Sequence, residues 1–282
     1  MSAHLLTIIS QNAAYGADTQ GRWPDLVQVI RNQHADVILL QEVDWLADPK
    51  VAAQAATDLG MQIVVAPSRN LPTAVAWRPE ALELIATETK YSRELHHGYC
   101  APRFRPAGLQ VDMPLVVISA HLIPYSAQAA AQEAQMLIAR LYRYGGLGLL
   151  GGDINHCPVL LDGQPEPDWQ AVQPYNRSSR CHRRTTLDEP WRGDQIVGQT
   201  LRDGDLIDVA AHVAAEKGDV GLLAPTGRHG GVRVDQLHVS AALTPAITDY
   251  WRIDPGTASD HYGVGTRLDL THLDHARLRA WT

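Results

Sequence analysis

The sequence has little of what marks secreted, membrane-spanning or disordered proteins. Only three of the 282 residues are cysteine. Cys100, Cys157 and Cys181 are an odd number without CxxC spacing, and the N-terminal "MSAHLLTIIS" lacks a signal-peptide pattern, so we expect reduced thiols in a cytoplasmic protein. No apolar run approaches the ~18 residues of a membrane span. Repeats and low-complexity tracts are also missing, which excludes collagen, coiled coil or disorder as a description of the whole chain.

Positive charge is scarce as well. The chain carries 24 Lys and Arg against 31 Asp and Glu, a formal net charge of −7. Proteins that hold nucleic acid by bulk electrostatics neutralise phosphates with basic surface, so this balance argues against that class. It does not exclude a local basic patch.

Short apolar, β-branched segments alternate with helical patterns along the chain. The alternation predicts a layered α/β or α+β architecture, not a pure doubly wound sheet. Predicted strands are 5–9, 36–40, 62–66, 74–78, 82–86, 115–120, 147–150, 232–239, 246–251 and 262–268. Predicted helices are 24–34, 126–142 and, more weakly, 205–216 and 271–281.

The segment 155–200 differs from the rest because it is rich in proline and has little periodicity. It is either a linker or a long loop of one domain, and long loops in compact domains tend to be functional or disordered. The loop holds four arginines, Arg177, Arg180, Arg183 and Arg184. They form either a solvated basic surface or a phosphate clamp, since guanidinium forks match phosphate oxygens. Arg228, in the Gly-rich "TGRHGGVR", is a further candidate for either a phosphate contact or a plain turn.

Carboxylates and amides stand at or beside several predicted strands. Such residues are usually turn residues or helix caps. Side chains from separate strands can also converge on one edge of a sheet, where carboxylate and amide oxygens suit a hard cation such as Mg²⁺. The candidates are Asn12, Glu42, Asp153, Asn155, Asp235 and Asp260.

Two histidines, His121 and His261, lie in the same contexts. Either residue is a structural hydrogen-bonding group, or it transfers a proton or stabilises negative charge. Histidine and cysteine pairs such as His96 and His97 with Cys100 match no structural zinc spacing, so a zinc site is not expected.

Taken in chain order, "SQNAAY", "LLQE", "SAHL", "GGDIN", "VDQLHV" and "SDH" form a specific pattern. The chain resembles the endonuclease/exonuclease/phosphatase superfamily, which includes DNase I-like nucleases and inositol polyphosphate phosphatases, over about residues 5–268. The resemblance implies one domain over 1–282, with a long loop at about 156–200. It implies a four-layer α/β sandwich of two packed mixed β-sheets flanked by helices.

The resemblance also implies roles for individual residues. Glu42 would be the main ligand of Mg²⁺, with Mn²⁺ as a possible substitute, helped by Asn12 and Asp260. Asp153 and Asn155 would contact the phosphate and the attacking water. His261, oriented by Asp235, would touch the scissile phosphate, and His121 would lie on its other side.

Two positions depart from the family pattern. Thr73 stands about where some nucleases of the family have the carboxylate that pairs with the "SAHL" histidine, so His121 is expected to be a weaker charged acid. Asp44, two residues after Glu42, is expected to repel a polyanion.

The expected activity is therefore Mg²⁺-dependent phosphoester hydrolysis. The acidic charge favours a nuclease or phosphodiesterase acting on a small or single-stranded substrate. A phosphatase for a small phosphorylated metabolite or lipid head group is the alternative, and a catalytically silent binding module with the same fold is the alternative from another class. We expect a monomer that binds a phosphorylated substrate, either nucleic acid or a small molecule.

Overall fold

The computed structural model describes residues 4–228 and 231–279. Its framework is two six-stranded mixed sheets. The first has the strand order β11-β12-β1-β2-β4-β3, where the strands are β1 (Leu5–Asn12), β2 (Val37–Gln41), β3 (Gln62–Val65), β4 (Ala74–Trp77), β11 (Ile247–Ile253) and β12 (Gly263–Asp269). The second has the order β5-β6-β7-β8-β10-β9, where the strands are β5 (Leu82–Glu88), β6 (Tyr99–Pro106), β7 (Leu115–His121), β8 (Gly148–Asp153), β9 (Leu206–Asp208) and β10 (Asp235–Ser240).

The helices are α1 (Trp23–Arg31), α2 (Pro49–Leu59), α3 (Ala127–Tyr142), α4 (Pro174–Arg180), α5 (Ile196–Asp203) and α6 (Val209–Lys217). Helices α1 and α2 pack on the outer face of the first sheet and α3 and α5 on that of the second, whereas α6 packs against the core between the sheets. No helix in the described part of the chain is long and apolar enough to cross a membrane.

The alternation of side chains along the central strands builds three apolar layers. In β2, Leu39 points into the core between the two sheets, while Leu40 points outward to the cluster that contains α1 and α2. In β7, Val117 joins the same inter-sheet core, and Ile118 packs outward with α3. Because successive strand residues face opposite sides, a strand covered on both faces is apolar at nearly every position. The layers confirm the expected α/β sandwich.

Local signals explain the helices well. The Ser126 hydroxyl accepts a hydrogen bond from the Ala129 amide and begins α3, as its sequence predicts. The capping carboxylate of Asp48 and the left-handed Gly60 bound α2, which the sequence analysis did not predict. Most of the other predicted elements are present, with ends shifted by a few residues.

Several predictions were wrong in detail. The segment 205–216 divides into the short strand β9 and helix α6. The predicted helix 271–281 is replaced, within 271–279, by short 3-10 turns capped by Asp269 and Asp274, and residues 280–281 lie outside the described part. The strand β6 was missed because its two prolines weaken a strand pattern. The segment 155–200 is not loop throughout, since it contains α4 and the start of α5.

Candidate active site

Strand register brings three of the predicted residues side by side. His121 at the end of β7 pairs with Asp153 at the end of the parallel strand β8. Asp153 in turn pairs with Asp235 at the start of the antiparallel strand β10. Residues at matching register positions point to the same face of a sheet, so these three side chains line one edge of the second sheet.

The first sheet delivers two more residues to the same place. Asn12 ends β1, and Glu42 directly follows β2. The amide Nδ2 of Asn12 donates to Glu42 Oε1 at 3.0 Å and to Asp153 Oδ2 at 3.2 Å, so this residue links the acids of the two sheets. Its Oδ1 accepts from the Ala14 amide. The structure thus shows Asn12 positioning two carboxylates, and its role as a metal ligand stays a prediction.

His121 and His261 flank Asp153. The Nε2 atoms of His121 and His261 lie 3.5 Å and 3.9 Å from Asp153 Oδ2. Burial raises the pKa of the Asp153 carboxyl, and the nearby Asp235 and Glu42 raise it further against the opposing effect of the two imidazoles. The carboxylate at the centre of the site is therefore more basic than an exposed aspartate.

The two imidazoles are in opposite electrostatic environments. His261 Nδ1 contacts Asp235 Oδ2 at 2.9 Å. Burial works against its charge, but Asp235 and Asp153 prevail and raise the pKa of His261 to about 10. For His121, burial outweighs Asp153 and lowers the pKa to about 4. At neutral pH the site thus contains one imidazolium and one neutral imidazole.

The expected consequence of Thr73 agrees with this geometry. The Thr73 hydroxyl and His121 Nδ1 are both buried without a hydrogen-bond partner among the described residues. Because no carboxylate holds that nitrogen, nothing offsets the burial of His121 on this side. Asp44 Oδ1 accepts from the Gly16 amide at 3.1 Å and fastens the loop after β1, and its repulsion of a polyanion stays a prediction.

Asn155 is held from two sides. Its Nδ2 donates to the Leu122 carbonyl at 3.0 Å, and its Oδ1 accepts from Arg180 Nη2 at 3.1 Å. Arg180 Nε also donates to the Asn155 carbonyl. Arg180 is 7% exposed. It is therefore a buried support of the "GGDIN" turn and not part of a solvated surface, and its role as a phosphate clamp stays a prediction.

Two of the other arginines of the loop lie beside the same tryptophan. The guanidinium groups of Arg177 and Arg184 lie 5.4 Å and 3.8 Å from the ring centroid of Trp191. Arg183 is exposed. The structure brings only Arg180 of the four into hydrogen-bond contact with a predicted site residue, and substrate binding by all four stays a prediction.

Asp260 and Arg228 lie on the open side of the site. Both line a surface cavity of about 590 Å³ together with Glu42. Arg228 Nη2 donates to Asp254 Oδ1 at 2.9 Å. His229, its neighbour in the Gly-rich turn, lies outside the described residues. Asp260 is exposed, and its role as a ligand stays a prediction.

Strained backbone marks two of the site positions. Glu42 has φ +58° and Asn155 has φ +63°, in the left-handed region that non-glycine residues seldom adopt. Such conformations persist where the surrounding contacts enforce them, and they concentrate at functional sites. Here the contacts are those of Asn12 and Arg180.

Sequence reasoning missed residues that support the site from behind. The His97 ring stacks on His121 with centroids 4.0 Å apart. The Ser259 hydroxyl donates to the Asn12 carbonyl and accepts from the His261 amide, so it ties two site segments together. Ser259 precedes "DH" in the quoted motif, which is a usable signal, whereas nothing local in the sequence connects His97 to His121.

The donor set fits a hard divalent cation. Among the described residues, ligand atoms gather within 4.8 Å in two groups, Glu42–His121–Asp153 and Asp153–Asp235–His261. Carboxylate oxygens brought together in a buried site repel one another, and a Mg²⁺ or Mn²⁺ ion suits such oxygens. The cysteines are buried and free, and none belongs to these groups.

The fold is similar to that of solved endonuclease/exonuclease/phosphatase proteins. A TDP2 from D. rerio, humanized by 14 mutations, is similar at TM-score 0.61 and 13% identity, over 93% of this chain and 98% of that one. AP endonuclease LMAP from Leishmania major is similar at 0.61 and 14%, over 94% and 88%. An endonuclease/exonuclease/phosphatase from Beutenbergia cavernae is similar at 0.59 and 15%, over 94% and 72%. No protein-family model and no curated protein matches the sequence. The structural likeness confirms the fold that the motifs indicated.

Proposed function

We propose that this chain is a Mg²⁺-dependent phosphoester hydrolase, with Mn²⁺ as a substitute, acting on a phosphodiester. The observation that carries the proposal is the position of Asp153 between His121 and His261, beside Glu42. A phosphoester needs an oriented water, charge stabilisation on its non-bridging oxygens and help for its leaving oxygen. The structural likeness to AP endonuclease LMAP and to the endonuclease domain of TRAS1 supports the same chemistry.

The chain's own residues divide this work. Asp153, with its raised pKa, is suited to accept a proton from the attacking water. Charged His261 offers Nε2–H to a phosphate oxygen, because its Nδ1 is engaged by Asp235. Neutral His121 donates or accepts a hydrogen bond on the other side of Asp153. A divalent cation at Glu42 would supply charge neutralisation at the phosphate.

Hydrolysis of bis(4-nitrophenyl) phosphate tests the proposal. Wild-type protein should turn over with Mg²⁺ or Mn²⁺ and stop with EDTA. His261→Ala should lower turnover by at least ~100-fold, and Glu42→Gln should weaken Mn²⁺ binding in calorimetry. The matched controls are His272→Ala and Glu80→Gln, which alter side chains that are 63% and 69% exposed.

Two results would overturn the proposal. One is the lack of metal-dependent turnover by the folded wild type on this diester, on 4-nitrophenyl phosphate and on oligonucleotides, which would favour a silent binding module. The other is near-normal turnover in a well-folded His261→Ala variant. Turnover on the monoester alone would replace the phosphodiesterase with a phosphatase.

A further inference from the structure

Three exposed tyrosines lie in segments that are connected to the candidate active site, two in loops and one in helix α4. Tyr15 is 62% exposed, Tyr125 is 72% exposed and Tyr175 is 67% exposed. No other tyrosine, tryptophan or phenylalanine in the described part of the chain is exposed. Large apolar rings in water are unfavourable unless a partner covers them. Their positions around one site therefore call for a common explanation.

Tyr15 is fixed directly to the acidic side of the site. Its amide donates to Glu42 Oε2 at 2.8 Å, and its carbonyl accepts from Arg22 Nη2 at 3.0 Å. Tyr15 also lines the open cavity together with Glu42, Asp260 and Arg228. The phenol ring is thus carried on a backbone that is hydrogen-bonded to a proposed metal ligand.

Tyr125 is joined to the opposite side by a run of rings. Its ring meets His96 edge-on with centroids 5.4 Å apart, and His96 meets His97 edge-on at 4.4 Å. His97 stacks on His121 at 4.0 Å. Edge-to-face and stacked pairs hold rings in defined orientations. Tyr125 therefore ends an aromatic path that begins at the catalytic edge.

Tyr175 lies in the first turn of α4, where its phenol interacts electrostatically with the Arg180 guanidinium. This helix ends at Arg180, whose guanidinium holds Asn155. The three tyrosines are therefore anchored through Glu42, His121 and Asn155, respectively. Each anchor belongs to a different strand end or turn of the proposed reaction centre.

We propose that Tyr15, Tyr125 and Tyr175 form a rim that stacks on the unpaired bases of a single-stranded polynucleotide whose phosphodiester enters the site. This rests on the proposed function. Base–aromatic stacking tolerates any sequence because every base has a flat face, and it requires bases that are not paired in a duplex. It also gives affinity without a basic surface, which suits a chain of net charge −7.

The test compares strands of equal phosphate content with and without bases. Intact single-stranded DNA and RNA, a base-free tetrahydrofuran phosphodiester strand of the same length, and duplex DNA are assayed for cleavage with Mn²⁺. Each Tyr→Ala change should raise KM on the intact strand about 5- to 150-fold and leave KM on the base-free strand unchanged. Tyr→Phe variants should retain wild-type KM because they keep the ring. Leu187→Ala, which removes a side chain that is 87% exposed, is the matched control.

The outcomes separate the two proposals. If intact and base-free strands are cleaved with equal KM, or the alanine variants behave as wild type, the rim is refuted while hydrolysis stands. If neither strand nor bis(4-nitrophenyl) phosphate is hydrolysed, the proposed function fails. In that case fluorescence polarisation in EDTA still tests the rim, since equal affinity for both strands overturns it and a base-dependent affinity lost in Tyr→Ala supports it.

Discussion

Replacing Arg180 with Met separates a buried support from a substrate clamp. The guanidinium donates from Nε and Nη2 to the carbonyl and side chain of Asn155, and it also interacts with the Asp153 carboxylate. Met fills a similar volume with an apolar chain. The change therefore removes two hydrogen bonds and one buried positive charge without opening a large cavity.

The structure sets the size of the effect. A hydrogen bond to a charged group contributes about 1.5–3 kcal/mol, and an orphaned buried carbonyl costs about 1–3 kcal/mol. We expect Arg180→Met to lower the free energy of unfolding by about 3–5 kcal/mol, close to the loss seen on breaking a buried ion pair. Because Asn155 loses its positive-φ support next to Asp153, kcat should fall ~10- to 100-fold, as for a misplacement of about 1 Å. KM should change little.

The assay pairs urea unfolding with steady-state kinetics on bis(4-nitrophenyl) phosphate. Arg183→Met is the matched control, since Arg183 is exposed in the same segment. It should change the free energy of unfolding by less than ~0.5 kcal/mol. If Arg180→Met raised KM with kcat and stability unchanged, Arg180 would be a substrate-binding group and our reading of its burial would be refuted.

Two further predictions concern stability. Arg233→Met should lower the free energy of unfolding by about 3–5 kcal/mol at pH 7, because buried Arg233 pairs with the largely buried Asp208 through two contacts. Burial opposes charge on Asp208, yet Arg233 outweighs this effect and lowers the pKa of Asp208 below its usual 3.8. The stability lost in the variant should therefore shrink as the pH falls below 3.8, which urea titrations at several pH values would measure. A loss that does not change with pH would contradict the pairing. Gly152→Ala should destabilise the protein far more than the ~1–2 kcal/mol expected for Gly163→Ala. A Cβ added at Gly152 would meet the Ala120 carbonyl oxygen at 1.9 Å, whereas Gly163 also has a positive φ but open space around it. Equal losses in urea unfolding would contradict this steric reasoning.

Much of the architecture is encoded locally. The run "DVILLQ" is apolar on both faces because β2 is covered by the other sheet on one side and by helices on the other. Acids placed directly after such runs predict a site at a sheet edge, as Glu42 and Asp153 illustrate. The helix α3 follows from its Ser126 cap and apolar stripe. These features depend on residues near one another in the chain, so a sequence contains them.

Other features depend on contacts between distant segments. The sequence determined which residues stand at strand ends and which fold their order resembles. Only the tertiary structure decided that Arg180 is buried behind Asn155, that His97 stacks on His121, and that the side chains of Tyr15, Tyr125 and Tyr175 are exposed. The physical reason is that the burial, the stacking and the pKa of a side chain are set by its neighbours in space. The sequence around a charged or polar residue does not show whether its side chain will contact water or the interior of a site.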